Sequence, residues 1–203
     1  MRSWWAFCGV LLLAACDGGG GGSDGGGGGT DAGGGPTIAH ATAAWRMRCT
    51  SGDCPAEDPP ARMLDHDHGQ DGAEVLCDLQ FNGTTRRMDL TVRSAEGWGF
   101  EVRGATIGEN GGRLMGSLCQ IRVFEPGDVD LLTMCTSSNP SPGSACQISR
   151  IDIRDVDGVP TLLAELRCVD APSEARPSDV RDVTSATSTS GNAELVFRGC
   201  AGL

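Results

Sequence analysis

The chain has 203 residues, 27 acidic against 16 basic side chains and a net charge of −11. An acidic chain in which every cation is an arginine, with no basic cluster, repels polyanions and excludes nucleic acid as a partner. The length suits one domain rather than two, and ten cysteines point to an oxidising compartment.

The first element is an apolar run from Trp4 to Leu13, preceded by Arg2. About ten such residues make roughly 15 Å of helix, half of a bilayer core of about 30 Å, so the run cannot span. A charged start, a short apolar stretch and small residues before a break make an export signal. The residues closing it, Leu13-Ala14-Ala15-Cys16, resemble the lipobox of bacterial lipoprotein precursors: a branched apolar residue, two small ones and the motif's cysteine. The resemblance implies a diacylglyceryl group on the Cys16 sulfur, cleavage before Cys16, and acylation of the new amino group by a palmitate-type chain. Residues 1–15 are then a signal peptide, and the membrane is a partner through the lipid anchor, in a bacterial cell envelope. The choice of inner or outer membrane stays open. Two or three acyl chains hold a protein stably, where one would be marginal.

The alternative is a soluble exported protein cut after Ala15. Cysteine parity opposes it: losing Cys8 with the signal leaves an odd set, and lipidating Cys16 restores an even one.

From Asp17 to Pro36 the chain is glycine interrupted by Asp, Ser, Thr and Ala. Such a stretch buries nothing and behaves as a coil, with an r.m.s. span of roughly 25 Å and a taut reach of about 65–70 Å. Residues 16–36 therefore read as the lipidated cysteine and its tether. A glycine nest for phosphate is the alternative; the aspartates and the lack of a flanking element count against it.

Residues 37–203 read as a single disulfide-rich β-domain. The alternation is two-residue throughout. Trp45, Met47 and Cys49 share a face; then come Val75, Cys77, Leu79 and Phe81. Asn82-Gly83 makes the strongest hairpin signal in the chain. Met88, Leu90 and Val92 form the return strand, with Arg87, Asp89 and Thr91 outward. Trp98, Phe100 and Val102 alternate with Glu101 and Arg103. Cys119, Ile121 and Val123 follow, then Val129, Leu131, Thr133 and Cys135. After the loop from Thr136 to Ala145, Cys146 and Ile148 share one parity and Ile151 and Ile153 the other, which predicts a bulge near Arg150. Asp155-Val156-Asp157-Gly158 turns the chain into Leu162, Ala164, Leu166 and Cys168. Asp170 to Asp182 reads as a polar loop, and Ser185–Ser190 with Ala193–Cys200 as a closing hairpin. The expected fold is all-β: an antiparallel β-sandwich of about nine or ten strands, Greek-key or jelly-roll-like and disulfide-stabilised.

The domain cysteines are Cys49, Cys54, Cys77, Cys119, Cys135, Cys146, Cys168 and Cys200. No close C-x-x-C pair suggests zinc, so four structural disulfides are expected. Cys135–Cys146 flanks one loop and is the first expectation, with Cys168–Cys200 and Cys49–Cys54 after it.

Asp65-His66-Asp67-His68, with Asp71 nearby, is the densest run of ligand-type side chains. In a Gly/Pro-bounded loop it is either a solvated turn or a site for zinc, copper or calcium. No other cofactor is expected. Asp155-x-Asp157-Gly158 lacks the closing acid of a calcium loop and reads as a turn. No nucleophile elbow or H-E-x-x-H motif is present, so no catalytic residue is assigned. Trp45 and Trp98 are core residues or a sugar platform. The leading functional expectation is a lipid-anchored envelope protein with a non-catalytic binding or structural domain, its partner an envelope protein or a glycan. The alternatives are a metal module or metal-dependent enzyme using the Asp65–His68 stretch, and an inhibitor or ligand-binding domain presenting the Thr136–Ala145 loop.

Overall fold

The structure, a computed structural model, describes residues 38–54, 57–116, 119–127, 130–187 and 191–203. The signal, Cys16 and the glycine tether lie outside the described residues. Twelve strands follow in order: β1 (His40–Ser51), β2 (Arg62–Asp67), β3 (Glu74–Asn82), β4 (Thr85–Arg93), β5 (Gly99–Gly108), β6 (Gly111–Gly112), β7 (Gln120–Phe124), β8 (Leu131–Thr136), β9 (Cys146–Val156), β10 (Val159–Pro172), β11 (Val180–Thr184) and β12 (Ala193–Arg198). The described residues hold no α-helix, only a 3-10 turn at Gln70–Gly72. The all-β, largely antiparallel character read from the alternation is what the chain forms.

The turns follow their chemistry. β3 and β4 pair up to Asn82↔Thr85, with Gly83 at φ +66 as the first central residue, the position a type II′ turn reserves for glycine. Between β9 and β10, Asp157 and Gly158 both take positive φ, as a type I′ hairpin demands, and the Gly158 N–H donates to Asp155 Oδ1 at 2.7 Å. The Asp155–Gly158 stretch is therefore a turn. The bulge falls at Ser149, next to Arg150, where the β9–β10 register shifts.

The finer architecture departs from two separate packed sheets. All twelve strands belong to one hydrogen-bonded sheet. Five of them close a ring, because β6 bridges β5 to β9 on one side while β7 and β8 connect them on the other. A single curled sheet surrounds one core. Trp45 of β1 is fully buried and lies edge-on to Phe100 of β5, with centroids 4.4 Å apart. Val75, Cys77, Leu79, Met88, Leu90, Val92, Phe100 and Val102 are all buried at the alternating positions. Phe81 is the exception: at the end of β3 it is 56 % exposed, with Arg86 over its ring.

Apart from the two-residue β6, two strands were hidden from the sequence. Asp65–Asp67 is not loop but part of β2, which runs along β1 in register from His40↔Asp67 to Trp45↔Arg62 and buries Leu64. β10 runs on to Pro172 and β11 begins at Val180, so strands take both ends of the polar loop expected over 170–182. β11 was masked by Arg181, an inward-facing arginine only 1 % exposed, which breaks the apolar alternation.

Among the described residues the closing hairpin does not form either. β12 pairs with the first half of β1 and β11 with the second, and both pair in the same way along β10. They therefore lie end to end in one column, running the same way. Between the two strands the Ser185 N–H donates to the Gly191 carbonyl at 2.9 Å.

All eight domain cysteines are paired: Cys49–Cys54, Cys77–Cys200, Cys119–Cys135 and Cys146–Cys168. The expected Cys135–Cys146 bridge does not form, because β8 and β9 run parallel rather than as a hairpin around their loop. Each cysteine turns to an antiparallel side instead. Cys146 pairs with Cys168, its register partner on β10, and Cys135 with Cys119, whose carbonyl accepts the Cys135 N–H at 2.9 Å. Cys200 reaches Cys77 rather than Cys168 because the C-terminus leaves β12 and lies against β3. There the Leu79 N–H donates to the Ala201 carbonyl at 2.9 Å and the Ala201 N–H to the Cys77 carbonyl at 3.0 Å. Gly202 sits at φ +81, where a Cβ would collide with the Leu79 carbonyl. This strap covers part of an edge that would otherwise be free to pair with another chain.

Candidate functional site

The densest ligand-type run is divided by its own strand. Successive side chains on β2 point to opposite faces. Asp65 and Asp67 face out and meet His40 of β1: Asp65 Oδ1 lies 3.0 Å from His40 Nε2, and Asp67 Oδ1 lies 2.9 Å from Nδ1. His66 shares the other face with Leu64, its Nδ1 3.9 Å from Asp71. His68 Nδ1 accepts the Val75 N–H at 3.2 Å. His66 and His68 therefore do not join Asp65 and Asp67 around one point. Among the described residues no three His, Cys, Asp or Glu side chains form a group able to hold a metal ion.

The Thr136–Ala145 loop is not spanned by a disulfide. It carries its own small turn, in which Ser141 and Ser144 exchange backbone hydrogen bonds of 3.2 and 2.9 Å around Pro142-Gly143. Its flanking cysteines bond outward instead, Cys135 to Cys119 and Cys146 to Cys168.

What the fold does assemble is a polar groove on the outer face of β3, β4, β5 and β7. Two adjoining cavities, of about 410 and 570 Å³, share Arg93 and Arg122 as lining residues. Both volumes fall in the range of small-molecule sites, about 300–1,000 Å³. The outward positions of the alternating strands supply the lining: Glu74, Leu76 and Asp78 from β3, Arg87, Asp89, Thr91 and Arg93 from β4, Glu101 and Arg103 from β5. The segment after β10 packs against the start of β8, with the Glu174 N–H donating to the Asp130 carbonyl at 2.7 Å, and so brings Glu174 to the rim.

Most of these charges are already matched. Arg87 pairs with Asp89 at 3.2 Å and Arg103 with Glu101. Arg122 Nη2 donates to Asp130 at 3.2 Å and to Glu174 at 2.7 Å. The floor of the narrower cavity is Glu125, whose side chain is 2 % exposed and which accepts both Nε and Nη2 of Arg62. That hydrogen bond is the main reason the Arg62 guanidinium is held above its ordinary pKa, with Coulombic attraction to Glu125 and Glu96 adding and burial opposing. Arg62 also lies over Trp98, 5.4 Å from its ring, and Trp98 Nε1 donates to Glu96 at 3.0 Å. Trp98 is thereby fixed by contacts on both sides. Trp45 is fully buried.

The one arginine of the lining without an ion pair among the described residues is Arg93, at the junction of the two cavities. Arg93 and Arg122 both lie over the ring of Phe124, at 4.5 and 5.1 Å, within cation–π range. No carboxylate among the described residues is within ion-pair distance of Arg93, whose Nε makes one long bond to the Gly97 carbonyl. Arg122 keeps a buried Nε with no hydrogen-bond partner among the described residues.

No family model matches the chain, and neither a curated protein nor a solved structure is similar to it. The groove therefore rests on its own geometry. None of its residues was singled out in the sequence, although the outward Arg/acid alternation on Arg87–Asp89 and Glu101–Arg103 was its trace. A charged alternation also marks any solvated face, and only the convergence of four strands separates the two.

Proposed function

We propose that this is a lipid-anchored cell-envelope protein whose β-domain binds a partner in the groove at Arg93 and Arg122 and performs no chemistry of its own. The single observation that carries the anchor is that every cysteine of the domain is committed to a disulfide. After export and loss of the signal, Cys16 is then the one thiol without a structural use, and Leu13-Ala14-Ala15-Cys16 marks it for the lipid. The glycine tether holds the domain a few nanometres from the membrane. A durable, disulfide-closed scaffold carrying a polar groove suits recognition of an envelope protein or glycan. The curl that brings β1 against β5 is sandwich-like, with the two faces of a sandwich joined through β9.

Membrane fractionation with labelled palmitate tests the anchor. Wild type takes up label and sediments with membranes, whereas Cys16→Ser does neither. Wild type recovered unlabelled in the soluble fraction overturns it. For the binding reading, a photo-cross-linker at Thr91 in intact cells should capture a recurrent envelope component that the same probe at exposed Met63 does not.

A further inference from the structure

We propose that the groove takes a short peptide by its free C-terminal carboxylate, clamped between the guanidinia of Arg93 and Arg122, with the peptide's cationic groups on the surrounding acids. This rests on the groove being the binding site. Three observations lead to it. The first is a pair of adjacent guanidinia: Arg93 has no carboxylate at ion-pair distance among the described residues, and Arg122 holds Asp130 and Glu174 both through Nη2. Both are oriented by stacking on Phe124, which is itself only 7 % exposed. Planar guanidinia held in this way suit a carboxylate, whose two oxygens accept from both.

The second is the charge of the lining. Eight carboxylates and four arginines border the two cavities. A phosphate dianion or a polyuronate would bring two or more negative charges against that excess, whereas a terminal carboxylate brings only one. The third follows from the same excess. Glu74, exposed on the lining and with no ion-pair partner among the described residues, is open to a cation on the same ligand. A polymer that carries amines and one terminal carboxylate together is a peptide.

The test uses full-length protein extracted from membranes in neutral detergent and titrated calorimetrically. The probes are the tripeptide Lys-Ala-Ala and its C-terminal amide. The free acid is expected to bind. The amide, and the free acid on Arg93→Gln, should each bind at least about tenfold more weakly, since a charged hydrogen bond is worth about 1.5–3 kcal/mol. Arg93 is exposed on a strand end, so its replacement leaves the fold intact, and Arg150→Gln on β9 should bind as wild type does. Equal affinity for acid and amide, an unaffected Arg93→Gln, tighter binding of glucuronate than of the tripeptide, or no heat from the tripeptide each overturns the proposal. If the tripeptide fails while the Thr91 cross-linker still captures a recurrent component, the groove stands as a binding site and the carboxylate clamp falls. If both fail, so does the groove.

Discussion

The strip from Asp65 to His68 and the groove around Arg93 are both dense in ionisable side chains and meet opposite fates. Four ligand-type side chains are adjacent in the first, yet the two-residue period of β2 sends the aspartates to one face and His66 to the other. In the second, Glu74, Arg93, Glu101 and Arg122 lie on four different strands, and the same period aims them all into one concavity. In a β-protein, closeness along the chain disperses chemistry and register collects it.

The two regions are mechanically joined, which is where the comparison can be broken. Arg62 leaves β2 and pairs with the buried Glu125 beneath the groove. The largest effect is expected at the strap that holds β3, the outer wall of the groove. Replacing Cys77 and Cys200 together by serine opens a bridge across 123 residues of chain, for which the loop-entropy account gives about 5 kcal/mol. The urea midpoint should fall accordingly, and groove binding should weaken in the fraction that remains folded. A midpoint within error of wild type would mean that the strap's backbone hydrogen bonds suffice.

Next is Glu125→Ala. It strands Arg62, whose side chain is only 18 % exposed, and losing one member of a buried pair costs about 3–5 kcal/mol. Because the Arg62 pKa is raised in the folded state, its contribution is complete below the ordinary arginine range and is lost only in strong alkali. The destabilisation by Glu125→Ala, measured by urea unfolding, should therefore be the same at pH 6 and pH 9 as far as Arg62 is concerned.

The smallest effect is expected at the dispersed cluster. His40→Ala removes the contacts to Asp65 and Asp67, which are 75 % and 56 % exposed, and should cost less than about 1 kcal/mol. It should also leave groove binding as in wild type. A larger loss in the urea midpoint would make the β1–β2 edge more than a solvated surface.

The sequence was legible wherever one local rule decided the outcome. Turn chemistry placed Asn82-Gly83 and Asp157-Gly158, and parity inversion placed the bulge beside Arg150. It failed where a residue obeyed tertiary surroundings instead. Arg181 looks like loop and is core, and Cys135 faces Cys146 across a parallel pair yet bonds to Cys119.

By itself, then, the sequence determined an all-β, cysteine-rich domain with its turns and inward faces, because alternation and turn geometry act over two to four residues. Only the tertiary structure decided which cysteines meet, that β11 and β12 form one interrupted column, and that Arg93 and Arg122 converge on Phe124. Those outcomes depend on strand order and direction over separations of up to 123 residues, as at Cys77–Cys200, and no local pattern encodes them.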